Sequence, residues 1–326
     1  MTEPFRTVIH ISSPDFRISH HTKTMLIGSC FTENIGFRLG RYKFPKDINP
    51  AGIQYNPLSA AAVLDRLMEG GRFDKSKLRH AGGRWFSYLH HGDFSAQDPE
   101  TCLRHINRRL EEGAAFLESA DLLCLTFGTA WYYVLKESGE AVSNCHKQPP
   151  ELFDRRFLEP EQIARIYREL TDRLAAFNPG LRLLFTVSPV RHLRDGAQGN
   201  QVSKSSLLVG VDRICRDTGA CYFPAYEIMM DDLRDYRFYD DDMVHPSRTA
   251  AAYIYKRFEE TFMDEETRRI CREIDPLLKA AGHRVKDREH EEYRIFSRKN
   301  LDRIEGLERT YPFLSFEEEK RHFDPG

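Results

Sequence analysis

Short apolar runs, each stopped by a breaker, constrain this chain most. Thr24–Ile27 runs into Gly28-Ser29, Asp121–Phe127 into Gly128, Leu181–Val187 into Ser188-Pro189, and Ala220–Phe223 into Pro224. Each reads as a buried strand with a defined end. Amphipathic helical stretches separate them, at about 57–69, 99–118, 159–177, 204–218 and 247–263. In the fourth, Leu207, Leu208, Val211 and Ile214 share one face. Strands alternating with helices predict βαβ units, and hence a mainly parallel sheet covered on both sides. In such a sheet, functional groups gather at the carboxyl ends of the strands.

Two segments depart from the alternation. Residues 70–98 are rich in Gly, Arg and His and carry Trp85, Phe86, His90 and His91; they open an insertion spanning about 70–120. Residues 266–326 turn to dense alternating charge, with Tyr293, Phe296, Leu301, Ile304 and Leu307 as a helical apolar stripe. The expected organisation is a core over 1–265 and a charged helical C-terminal appendix over 266–326, its stripe packing within the chain. A single core stops growing near about 250–300 residues, and a chain of 326 residues fits that division.

Composition narrows the function classes. Lys plus Arg total 48 and Asp plus Glu 50, a net charge of −2, so no overall charge favours nucleic acid or an anionic membrane. The seven cysteines are odd in number and form no C-x-x-C, which argues against a disulfide framework or a zinc ribbon and for a reducing compartment. Met1–His10 has no basic segment followed by an apolar run, and no stretch approaches the ~18 apolar residues of a membrane span. A cytoplasmic protein with a monomeric state favoured is the expectation. Neither G-x-x-x-x-G-K nor G-x-G-x-x-G occurs, so no phosphate-binding loop is predicted.

The sharpest chemical features are Gly28-Ser29 after the first strand and Asp242-x-x-His245 before the last core helix. A hydroxyl at the start of a helix sits near free backbone N–H groups, and it becomes a nucleophile when a base takes its proton. His245 is the candidate base, and Asp242 the carboxylate that fixes its tautomer. Each feature alone is common: G-S is usually a turn, and Asp240–Asp242 reads equally as solvated charge or, with His245, as part of a metal site. The pairing at the two ends of an α/β chain favours a serine hydrolase. Cys30, beside the serine, reads as a buried structural thiol, and Lys204 as structural. Trp85 and Trp131 suit either a cleft wall or core packing, and His90-His91 read as exposed.

The block Gly28-Ser29-Cys30-Phe31-Thr32 resembles the motif that names the GSCFA family, with Thr32 where the motif has Ala. The likeness continues through NPAGIQYNP (49–57), FGTAWYY (127–133), SNCHK (143–147), TVSPVRHLRDG (186–196) and the long block Tyr222–Ser247. That family is regarded as related to the SGNH, or GDSL-like, hydrolases. The resemblance implies a three-layer α/β/α, flavodoxin-like fold and ester hydrolysis by a Ser with a D-x-x-H pair. It implies Ser29 as nucleophile, Asp242 and His245 as acid and base, and oxyanion donors from the Ser29 N–H and Gly52. The Asn expected two positions past Gly128 is Ala130 here, which leaves Asn144 or His146 as the third donor. Arg191, His192 and Trp131 are the expected substrate contacts, and no cofactor or metal is expected.

The expectation is therefore a serine esterase or deacylase acting on a small-molecule or carbohydrate ester through an acyl-enzyme. The alternatives are a non-catalytic binding or scaffolding protein on the same fold, and an acyltransferase.

Overall fold

The computed structural model describes residues 7–282 and 290–324. Part of the charged C-terminal stretch, 283–289, lies outside the described residues. The chain begins β1 (Thr24–Gly28), α1 (Cys30–Arg41), β2 (Lys46–Ile48), α2 (Pro57–Glu69), a hairpin β3 (Arg79–Ala81) and β4 (Arg84–Phe86), α3 (Pro99–Glu118) and β5 (Leu122–Phe127). It makes an excursion through β6 (Trp131–Leu135), β7 (Ala141–Val142) and β8 (Phe153–Phe157). It then resumes with α4 (Pro160–Phe177), β9 (Arg182–Val187), α5 (Gly196–Thr218), β10 (Cys221–Phe223), one turn α6 (Ala225–Glu227) and α7 (Arg248–Phe262). Helices α8 (Glu265–Ala281), α9 (Glu291–Thr310) and α10 (Glu317–Phe323) follow.

Strands β1, β2, β5, β9 and β10 form one parallel sheet in the order β10-β9-β5-β1-β2. Counting only these strands in chain order, this is the 2-1-3-4-5 arrangement of flavodoxin-like folds. Side chains alternate between two cores. Met25 and Ile27, Leu123, Leu125 and Phe127, and Phe185 and Val187 pack with α2–α5 on one face. Leu26, Leu122, Cys124 and Leu184 pack with α1 and α7 on the other. Burial on both faces is why these strands read as unbroken apolar runs. The three-layer α/β/α architecture follows.

Helix starts are written locally. Asn56-Pro57 and Asp98-Pro99 each place a side-chain cap before a proline at the first helical position, and at Glu159-Pro160 the Gln162 side chain accepts the Glu159 backbone N–H at 2.8 Å. Two elements differ from the sequence expectation. β2 carries Lys46-Asp47-Ile48, and its polar central residue is tolerated because Asp47 meets Arg109 at 2.5 Å. Helix α5 begins eight residues before Lys204, at Gly196, because its polar first turns cover the loop after β9; Asn200 Oδ1 accepts the His192 N–H there at 2.8 Å.

The excursion forms a three-stranded antiparallel sheet, β7-β6-β8, standing over the carboxyl end of β5. At the other end of the chain, the α9 stripe packs within the molecule. Ile304 and Leu307 join Ile270, Ile274 and Leu277 of α8 with Phe316 and Phe323. This group reaches the core where α1 ends. Tyr42 Oη donates to Asp275 at 2.6 Å, and Lys43 Nζ donates to Glu319 at 2.8 Å. Among the described residues, no helix is long and apolar enough to cross a membrane.

Candidate active site

The sheet changes direction between β1 and β5, and a ligand site belongs at the carboxyl ends of those strands. A cleft of about 540 Å³ opens there, bordered by the starts of α1 and α2, the β5–β6 link, the loop after β9 and the loop before α7.

Gly28 makes the turn from β1 into α1. Its φ is +151°, and a Cβ on it would lie 2.2 Å from the Thr126 carbonyl oxygen, so a glycine is required. Ser29 follows as the helix N-cap, with an extended backbone and no side-chain capping bond. It is 2% exposed, and its Oγ is buried without a hydrogen-bond partner. Its N–H donates to Thr126 O at 3.1 Å. The next residue points differently: Cys30 Sγ lies 3.9 Å from His245 Nε2, and the thiol is partly exposed.

His245 is held by Asp242. The two residues are brought together by a tight turn in which Met243 takes φ +57°. His245 Nδ1 meets Asp242 Oδ2 at 2.6 Å, and Asp242 Oδ1 accepts the backbone N–H groups of Val244 and His245, both at 2.9 Å. These bonds, led by the His245 backbone N–H and then its ring, depress the Asp242 carboxyl to about 2. Two further bonds seat the loop: Arg191 N–H donates to Val244 O at 3.2 Å, and Tyr239 pairs with Pro246 as an antiparallel bridge. A bond from the carboxylate to Nδ1 leaves Nε2 as the acceptor facing the thiol.

The thiol feels opposing influences. Burial and then Glu33 push it up, while the backbone N–H groups of Phe31 and Cys30, and more distantly Lys204, pull it down; the net direction is upward. The thiol therefore rests protonated, facing His245 Nε2. Sequence reasoning assigned Cys30 a structural role and gave His245's partner as Ser29; the structure sets Cys30 in line with His245 and Asp242 and leaves Ser29 Oγ unpartnered.

The expected oxyanion donors also sit elsewhere. Gly52 N–H donates to Asn49 O at 2.7 Å, and the Ser29 N–H is taken by Thr126. Asn144 Oδ1 accepts the His146 N–H, and His146 Nε2 contacts the carbonyls of Ser87 and His90 while its ring stacks on Phe86. Gly52, Asn144 and His146 build the loops behind the cleft and do not line it. The expectation that His90 is exposed is also overturned. His90 is 3% exposed, and burial lowers it to about 3.

Arg191, His192 and Trp131 do line the cleft. Arg191 lies over the Tyr239 ring at 5.0 Å, and Arg155 over Trp131 at 4.0 Å. Residues that sequence reasoning missed are Tyr55 and Asn56, which border the thiol side, and Arg155 and Arg194. Asn56 carries a readable signal, the Asn-Pro start of α2. Lys204, fully buried on α5, donates to the carbonyls of Gly128 at 2.8 Å and Ser188 at 2.7 Å, and so joins the ends of β5 and β9 beneath the cleft. Burial lowers its ammonium to about 7. Among the described residues, no three His, Cys, Asp or Glu side chains are grouped to hold a metal.

Residues 23–258 match the GSCFA family, and residues 274–324 match the GSCFA domain protein, C-terminal domain. Among solved structures, the chain is similar to an acetyl xylan esterase from the rumen bacterium Butyrivibrio proteoclasticus, at 10% identity and a TM-score of 0.36. That likeness covers 76% of this chain and 64% of the esterase, so the chain spans less than two thirds of that protein's length. No curated protein matches the chain. With its core matched almost from β1 to the end of α7, the chain belongs to the GSCFA family.

Proposed function

We propose that this protein is an acyl-ester hydrolase with a cysteine nucleophile. The observation that carries this reading is the alignment of Asp242, His245 and Cys30 at the mouth of the cleft, with contacts of 2.6 and 3.9 Å. His245 Nε2 takes the thiol proton as sulfur attacks the ester carbonyl. Asp242 steadies the imidazolium formed in that step. The N–H groups of Cys30 and Phe31 at the start of α1, with the positive end of its dipole, stabilise the developing oxyanion, the Thr32 N–H being taken by Ser29 O. His245 then returns the proton to the departing alkoxide, leaving a thioester on Cys30. Water, deprotonated by the same imidazole, cleaves the thioester and restores the thiol. A nucleophile that must stay reduced suits a cytoplasmic setting.

The test is to trap the acyl-enzyme. With p-nitrophenyl acetate and an acid quench, peptide mass spectrometry is expected to find the acetyl group on Cys30, labile to hydroxylamine. Cys30→Ala is expected to abolish both burst and turnover, and Ser29→Ala to retain turnover. Acetylation of Ser29, or turnover that survives Cys30→Ala, would falsify the assignment.

A further inference from the structure

The chain as a whole is nearly neutral, with a net charge of −2, but the cleft is not. Three arginines line it, Arg155, Arg191 and Arg194, and no Asp or Glu does. Carboxylates also stand nearby. Asp195 pairs with Arg155 at 2.6 Å, and Asp242 is committed to His245 at 2.6 Å. Glu33, on α1, acts on Cys30 and Tyr55, and Asp93 acts on Tyr55. Arg191 and Arg194 form no ion pair among the described residues.

Arg191 is also positioned. Its guanidinium rests on the Tyr239 ring, which leaves its N–H edge free, and its backbone is bonded to Val244, the residue before the base. The flank beside it is aromatic, from Trp131, Tyr133 and Tyr55. An unpaired guanidinium fixed beside a reacting centre is suited to bidentate contact with a carboxylate or phosphate.

We infer that the cleft selects an ester bearing an anionic group, a carboxylate or a phosphate, which Arg191 and Arg194 hold while Cys30 attacks. The chemistry of attack rests on the proposed function; the preference for an anion does not, and it is measurable without turnover. Iodoacetate and iodoacetamide alkylate a thiol through the same displacement of iodide and differ in charge. The experiment measures both rates at Cys30 by peptide mass spectrometry, and takes their ratio relative to that for free cysteine in the same buffer.

In the full-length protein at low salt, the relative ratio is expected to favour iodoacetate by about tenfold or more, within the range of electrostatic focusing in a charged cleft. It is expected to fall with added salt and to collapse towards one in Arg191→Gln/Arg194→Gln. Arg191→Lys, which keeps the charge, is expected to hold an intermediate value. Arg194 is exposed and Arg191 half-buried on Tyr239, and a thermal melt checks that the variants fold. A relative ratio near one in the wild-type protein, or a preference that survives the double substitution, overturns the inference.

Turnover of a mono-p-nitrophenyl succinate against p-nitrophenyl butyrate then extends the test, with the difference expected in KM. Competition by succinate against inorganic phosphate distinguishes the two anions. If neither ester is turned over while iodoacetate is still preferred, the hydrolase reading fails and the anion site stands.

Discussion

Replacing Asp242 with Asn tests the proposed proton relay at one atom. Asp242 uses its oxygens unequally: Oδ1 accepts two backbone N–H groups at 2.9 Å, and Oδ2 accepts from His245 Nδ1 at 2.6 Å. An asparagine keeps the first pair of bonds only if its oxygen takes the Oδ1 position. Its NH₂ then faces Nδ1. The opposite orientation would set that NH₂ against two N–H donors and forfeit both bonds, so the first orientation prevails. Nδ1 must now accept, the ring proton moves to Nε2, and the lone pair that faced Cys30 is lost.

The expected loss in kcat/KM is between about 10² and 10⁴, the span set by losing general-base catalysis and by mis-setting a triad tautomer. The turn keeps its two backbone bonds, so the melting curve should stay close to that of the wild-type protein. The assay is kcat/KM for p-nitrophenyl acetate from pH 6 to 9, together with the rate of Cys30 alkylation by iodoacetamide. Alkylation should shift to higher pH, as the thiol loses the base that relieves it. A loss below tenfold across the pH range refutes the relay.

Two further substitutions test the scaffold. Gly28→Ala places a Cβ 2.2 Å from the Thr126 carbonyl oxygen at a φ of +151°, and it should destabilise by about 3 kcal/mol or more, read as a lower denaturant midpoint; an unchanged midpoint would show that the β1–α1 turn relaxes freely. Lys204→Met removes the donors of the Gly128 and Ser188 carbonyls and should cost roughly 2–5 kcal/mol at pH 9, from two orphaned acceptors. The unfolded chain keeps the Lys204 proton up to 10.5 and the folded chain releases it near 7, so wild-type stability should climb between these values, by up to about 1.4 kcal/mol per pH unit; denaturant titrations at pH 7 and pH 9 should show that climb, and Lys204→Met should lack it.

The parts of this molecule that the sequence discloses are those governed by local rules. Four of the five sheet strands are legible because each is written as an apolar run with a breaker after it, three of them, β1, β5 and β9, lying inside the sheet with both faces covered. β2 is not, because its run is the polar Lys46-Asp47-Ile48, whose Asp47 is satisfied by Arg109, 62 residues away. The Asp242–His245 contact is legible because a three-residue turn closes it. The proposed nucleophile is not, since Ser29 and Cys30 are adjacent in sequence and spacing does not choose between them. What separates them is that one is buried at the N-cap position of α1 under Gly128 while the other occupies its first turn facing His245. The misplaced donors share one cause: whether the N–H of Gly52 is free depends on Asn49 O, and whether His146 reaches the cleft depends on Ser87 and His90. Such commitments are made across the tertiary structure and leave no pattern in spacing.

The grip of the C-terminal helices on the residues after α1 bears on which side chain reacts. At 12 residues, α1 is a rod of about 18 Å, and one residue of winding turns it by about 100°. The rotational phase that aims Cys30 at His245 is held along the helix by its buried face, Phe31, Ile35 and Leu39, and again at the far end, where Tyr42 is bonded to Asp275 and Lys43 sits on the Phe316 ring and Glu319. The appendix works as a torsional clamp on the thiol. A chain cut after α7 would keep every residue of the cleft and lose that distal anchor of α1.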